Sequence, residues 1–411
     1  MADALAAGEA AYVSGRFRCE LHGNVEIGMA KLTSRERVRR TLRHEEPDRI
    51  PLTLGADAAT TLTAGAYENL ETYLGISGET RLFSKARQTV FVDEKILKHF
   101  QIDTRPLTGK GLRNWKERDL GNQTFLNEWG VALQMPRGGS SYQIVVFPLK
   151  EATIEDLEEY PWPDPLDEGL VEGIEEEAKE LYEHSDYAIV GSSGLSQSIF
   201  EQSWYLRGMD ILLMDFMTDK EFAHALLRKV TEIQKVKYGK FLDKVGKYLD
   251  VVRVSDDLGM QTGPLMSPQL YREMIKPYHK DYFSFIKAKT DAKLLLHGCG
   301  SISVLVDDFI DVGVDILNPI QVSAVNMDCP HLKKEFGDRL SFWGAIDTQQ
   351  ILPYGSPEEV KEEVRGRIRE LGLGGGFIPS AVNSIQHDVP PQNIVAMVEA
   401  IKEYGEYPLK V

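Results

Sequence analysis

Ala292-Lys293-Leu294-Leu295-Leu296-His297-Gly298-Cys299-Gly300 is the stretch on which the reading of this chain turns. Three leucines follow a lysine, and the run then stops abruptly at His-Gly-Cys-Gly. A short apolar run without alternation, bounded by glycine, is what a strand buried on both faces looks like. The same pattern recurs at 50–54, 187–191, 249–255, 316–319, 340–344 and 376–379, each time followed by polar residues. Amphipathic helical stretches lie between these runs, at 219–247, 268–290, 302–312 and 357–371.

Strands covered on both faces and alternating with helices predict a parallel sheet with right-handed crossovers. About eight such units, with no Gly-rich dinucleotide turn after an early strand, favour a (β/α)8 barrel over an open doubly wound sheet. The N-terminal boundary is expected near Met29. Thr33-Ser34-Arg35-Glu36 forms a capping box that opens a helix, and Pro47 ends it before the first predicted strand. Residues 1–28 are then an N-terminal extension and 29–411 one barrel domain. Within it, residues 108–150, with Glu128-Trp129-Gly130, Gly138-Gly139 and an aromatic and β-branched run, predict a β-hairpin insertion able to cap the barrel mouth.

Composition narrows the function. Sixty-three acids against 47 bases in 411 residues give a formal charge of −16, which repels nucleic-acid backbones and anionic lipid. No apolar run approaches the roughly 18 residues that span a bilayer, and residues 1–28 lack the basic and apolar regions of a signal peptide. Cys19, Cys299 and Cys329 are too few for a disulfide framework. The expectation is a cytoplasmic enzyme with no nucleic-acid or membrane partner; a homodimer is compatible with the sequence.

Active sites of such barrels lie at the C-terminal strand ends. Those ends here read Asp256-Asp257-Leu258-Gly259, His297-Gly298-Cys299-Gly300, Asn318-Pro319-Ile320-Gln321, Trp343 to Asp347, and Ser380 to Gln386. Residues two apart on a strand share a face, so the imidazole of His297 and the thiol of Cys299 converge on one point, an N/S pair that suits zinc. A carboxylate from Asp256, Asp257 or Glu201 could complete the set. Asp256 and Asp257 point to opposite faces, one into the mouth and the other to a cap or pair. Asp347 is a further candidate acid, and Trp343 could stack on a flat substrate. Cys329, just before Pro330, reads as the start of a helix.

The stretch from Asp256 to Pro268, Ile275-Lys276-Pro277 and His297-Gly298-Cys299-Gly300-Ser301 together resemble the uroporphyrinogen decarboxylase-like superfamily. Gly313 to Gln321, Phe342 to Asp347, Asn383 to Asn393, Arg35-Glu36-Arg37-Val38 with Pro47 to Pro51, and Tyr160 to Pro165 extend the resemblance over about 29–407. More narrowly the chain resembles the corrinoid-dependent methyltransferase branch, which includes methylcobamide:coenzyme M methyltransferases and O-demethylases. Members of that branch bind zinc through a His-x-Cys pair and a later cysteine. His297 and Cys299 match the pair, but Pro379-Ser380-Ala381-Val382-Asn383-Ser384 holds no cysteine, which speaks against the thiol-activating, coenzyme M type. The resemblance to uroporphyrinogen decarboxylase itself is poorer. Where that enzyme has an arginine-rich loop for substrate carboxylates, residues 54–61 hold no arginine and present an acid.

The resemblance implies zinc and a corrinoid (cobalamin) carried by a partner protein. The implied reaction is demethylation of a small donor, a methoxylated aromatic or a methylamine, with methyl passed to the corrinoid protein. In that reading His297 and Cys299 hold zinc, and Asp257, Asp256 and Asp347 are the catalytic acids. Gln261, Asn318, Gln321, Trp343, Asn383 and Gln386 bind the donor. The alternatives are a decarboxylase acting without metal and a catalytically silent binding paralogue.

Overall fold

Lys293–His297 is the central strand of a seven-stranded parallel sheet in a computed structural model that describes residues 31–194 and 197–410. In chain order the sheet comprises β1 (Thr104–Thr108), β2 (Ala188–Ser192), β3 (Val251–Ser255), β4 (Lys293–His297), β5 (Ile316–Asn318), β6 (Ser341–Ile346) and β7 (Phe377–Ala381). Each pairs with its sequence neighbours, so the order is sequential and every connection is a crossover. The predicted N-terminal extension and Cys19 lie outside the described residues. Leu32–Val411 forms one compact unit.

The run 50–54 is buried, yet it is not a ladder strand. It occupies the eighth barrel position through a few bonds. Asp103 donates its amide to the Leu52 carbonyl at 2.8 Å, and Thr53 Oγ1 lies 2.9 Å from Thr104 Oγ1. On the other side, Thr63 donates its amide to the Ile385 carbonyl and Ile385 donates to the Thr61 carbonyl, both at 2.9 Å, tying the following loop to the segment after β7. Pro51, which has no N–H, accounts for part of the missing ladder. The chain is thus a (β/α)8-type barrel with seven regular strands. Thr104–Thr108, the strand that the sequence reading lacks, hides behind Arg105 and Pro106.

Inward side chains stack in layers. Ala188, Val190, Val251, Leu295, Ile316, Trp343 and Ile378 form a buried cluster with Val38 and Leu42, so the helix Ser34–Thr41 plugs the N-terminal end of the barrel. Two residues further along their strands, the same face presents Arg253, His297, Asn318 and Ser380. The barrel is apolar below and polar above. Trp343 belongs to the lower layer and is fully buried, which removes it from the substrate-stacking role expected at the mouth.

Residues 108–150 hold a four-stranded antiparallel meander rather than a single hairpin: Arg118–Gly121, Thr124–Leu126, Ala132–Gln134 and Gln143–Val146. Its first strand is exposed throughout and carries no alternation for a sequence reading to find. A separate antiparallel pair, Arg81–Ser84 with Thr89–Phe91, precedes β1, and its connecting turn carries Arg87.

Candidate functional site

Gly298 and Gly300 let the backbone after β4 fold tightly against the loop after β3. A Cβ at Gly300 would stand 2.5 Å from the Gly259 carbonyl carbon, and Gly300 itself has φ +91°. That close approach brings Asp257, His297 and Cys299 together, with one ligand atom from each lying within 4.8 Å of the others. His297 Nε2 is 3.7 Å from Cys299 Sγ. The Cys299 amide donates to Asp257 Oδ1 at 2.8 Å, fixing that carboxylate beside the thiol.

The imidazole is oriented from behind. His297 Nδ1 lies 2.6 Å from Asn318 Oδ1, and Asn318 Nδ2 donates to the Trp343 carbonyl at 3.2 Å. An amide oxygen can only accept, so Nδ1 carries the proton and Nε2 presents its lone pair toward the sulfur. Burial, with the Arg253 guanidinium beside it, pushes the His297 pKa down to about 4, so the ring is neutral at pH 7. Burial and the negative charge of Asp257 hold the Cys299 thiol well above its ordinary value. A neutral imidazole, a buried thiol and a carboxylate at one point are a set that a cation would stabilise and whose thiol it would deprotonate.

The expected acids part company. Asp256 is fully buried and faces away from the mouth. It accepts the amides of Ile199, Phe200 and Glu201 at 3.1, 3.0 and 2.5 Å and faces His279 Nε2 at 2.8 Å. It caps the helix Phe200–Arg207, a structural task that replaces the catalytic one expected. Asp347 accepts the Gln349 amide at 2.8 Å in the turn after β6, so it too serves a loop. Cys329 begins the helix Cys329–Phe336 and packs beside Arg367, away from the pair.

The amides divide likewise. Gln321 Oε1 accepts the Gly300 amide at 2.8 Å and Asn318 holds His297, so both position the ligand loop rather than face a donor. Asn383, on the loop after β7, points Nδ2 at Cys299 Sγ, 3.6 Å away. Gln386 bonds to the Ser384 carbonyl, while Gln261 is exposed with its carbonyl accepting the Val325 amide.

Two arginines outside the 54–61 loop bring cations to the mouth. Arg87 reaches in from the 85–88 turn, with Nη2 3.7 Å from Glu201 Oε1, and Arg253 Nε lies 3.3 Å from Asp57 Oδ1. Burial together with Asp257 raises the Glu201 carboxyl to about 8, despite Arg87. Arg87 had no sequence signal, because its turn lies about 170 residues from Asp257 in the chain. Arg253 had one: a cation at an inward position of an apolar strand.

These features define a class: a barrel protein with imidazole, thiol and carboxylate gathered at the C-terminal mouth in a geometry suited to a divalent cation. The chain belongs to the uroporphyrinogen decarboxylase (URO-D) family, whose pattern matches residues 124–404. This bears out the superfamily resemblance. Among its relatives, the methylated-thiol–coenzyme M methyltransferase of Methanosarcina mazei is 26% identical over 250 residues, 60% of this chain and 62% of the relative. A uroporphyrinogen decarboxylase of Pelodictyon phaeoclathratiforme is 25% identical over 184 residues, 44% of this chain and 49% of that one. The match therefore spans less than two thirds of either relative's length. A solved methyltransferase from Methanosarcina mazei shares the fold, with a TM-score of 0.61 at 18% identity, covering 91% of this chain and 99% of the other.

Proposed function

We propose that this protein is a methyltransferase that moves a methyl group from a small methylated donor to a corrinoid protein, with zinc held by His297, Cys299 and Asp257. The convergence of those three ligand atoms, with Nε2 left free by Asn318, carries the reading. Tetrahedral zinc with ordinary Zn–N and Zn–S lengths separates nitrogen and sulfur by about 3.6 Å, close to the 3.7 Å between His297 and Cys299. Asp257 stands in for the later cysteine that the last strand lacks. The likeness to the Methanosarcina methyltransferase supports methyl transfer over other chemistries of the family.

Zinc, when bound, supplies a Lewis acid for the donor's heteroatom, easing its departure from the methyl carbon. The chain's own residues do the rest. Asn318 holds the imidazole tautomer, Gln321 anchors the Gly300 amide, and Asn383 offers an N–H beside the sulfur. Glu201, kept protonated at neutral pH by burial, is the group able to give a proton to the departing heteroatom.

The deciding measurement is zinc per chain in freshly purified protein beside His297→Ala and Cys299→Ala. About one zinc, lost in both variants, is expected. Methylation of cob(I)alamin is then screened with methoxylated aromatics and methylamines. Protein that stays metal-free when zinc is offered would sink this mechanism. The second reading, a decarboxylase acting without metal, would then lead, since Arg87 and Arg253 give the mouth cations for a carboxylate.

A further inference from the structure

We infer that the cavity beneath the 118–146 meander holds the body of the donor and selects a planar aromatic anion over a methylammonium ion; its link to methyl transfer rests on the function proposed above. The cavity measures about 580 Å³, within the ~300–1,000 Å³ range of small-molecule sites. It lies between the meander, which contributes Phe125 and Tyr142, and the barrel, which contributes Arg253 and Ser255. Trp115, Trp129, Trp204 and Tyr205 complete aromatic walls suited to a flat ring.

The polar atoms on those walls specify the ligand further. Gln202 Nε2, Trp204 Nε1 and Gln234 Oε1 all belong to lining residues, and all are buried without a hydrogen-bond partner among the described residues. Gln202 and Gln234 are only 2% and 1% exposed. Buried unpaired groups are costly and rare, so their concentration in one cavity points to a missing partner. Two of the three are donors, and with the Arg87 and Arg253 guanidiniums on the same walls they call for a ligand rich in acceptors.

A cage of aromatic faces also suits a quaternary ammonium. Here that use is pre-empted, because Lys85 Nζ already sits 4.3 Å from the Phe125 ring centroid and 5.9 Å from that of Tyr142. Arg87, Arg253 and Lys237 line the same space. The acids on the walls are engaged: Glu117 pairs with Lys85, and Glu128 acts on Lys237. Four basic side chains against two acids on the walls leave a balance that favours an anionic ligand over a cationic one.

The cavity also leads to the ligand cluster. Ser255, on its wall, is the register partner of His297, and Arg87 bridges from the cavity toward Glu201. Ser255 and Arg87 thus carry the cavity wall to the strand end that holds His297.

Calorimetric titration of the full chain with 4-methoxybenzoate, benzoate and tetramethylammonium tests this. Saturable binding of both benzoates and none of tetramethylammonium is expected. Gln202→Met and Trp204→Phe, with unchanged thermal stability as the folding control, should each weaken binding by about tenfold. Binding should persist in His297→Ala, because the cavity does not need the metal cluster. Benzoate binding without methyl transfer would support the cavity assignment while sinking the methyltransferase reading. Tetramethylammonium binding in preference to the benzoates, or affinity indifferent to both cavity variants, would overturn the inference.

Discussion

Asp257 and Asp256 are neighbours with opposite fates, and the alternation of a strand is the reason. The even-numbered acid turns outward into three helix amides and His279, while the odd-numbered one enters the mouth beside Cys299. Glu201 is placed by the first of them, since Asp256 receives its amide. This gives Glu201 a testable titration. Its folded pKa of about 8 exceeds the ordinary 4.5, so the native state holds the extra proton between those values and stability falls as pH rises through that window. His297 acts oppositely. Its pKa is depressed to about 4 from 6.5, so its contribution is lost as pH falls between those values and is flat above 6.5. Of these two groups, only Glu201 contributes a slope from pH 6.5 to 8. Metal-stripped protein should lose up to about 2 kcal/mol across that interval, and Glu201→Gln should not, as read by urea unfolding at each pH.

At the scale of elements, Asp103 joins three segments that no ladder connects. Its fully buried carboxylate accepts from Arg37, Arg49, the Leu52 amide and Ser34, each at 2.7 Å. The plugging helix, the 50–54 segment and β1 therefore share one anion. Asp103→Ala leaves Arg37, 2% exposed, without one of its partners and frees the Leu52 amide. The expected cost is about 3–5 kcal/mol, accompanied by faster hydrogen exchange along residues 50–63, where the barrel closes without regular pairing. An unchanged exchange pattern there would show that packing alone closes the ring.

For the whole molecule, the proposed ligand cluster, drawn from two strand ends, would couple zinc binding to folding, because only the native state brings the loops after β3 and β4 together. Zinc at a hundredfold excess over its Kd should add about 2.7 kcal/mol of stability and raise the Tm by a few degrees, an effect absent in His297→Ala. No helix among the described residues is long and apolar enough to cross a membrane. The polar functions gather at one end of the barrel, while the other is sealed by Val38 and Leu42 against Trp343.

The apolar runs ending in His297-Gly298-Cys299, Asp256-Asp257 and Asn318 were enough to indicate a parallel barrel and the strand ends that matter, because burial period and face alternation are local properties of a chain. The family motifs were legible for the same reason: each is a short contiguous block. What the sequence could not assign was the division of labour among those polar ends. Asp256 became a helix cap, Asp347 a turn acceptor and Asn318 and Gln321 supports, because each took a nearby backbone or ring group that the folded barrel offered, while Trp343 packed into the core. Only the tertiary structure brought Arg87 over the mouth and enclosed the cavity under the meander. Both arise between segments remote in sequence, where no spacing rule reaches and packing alone decides proximity.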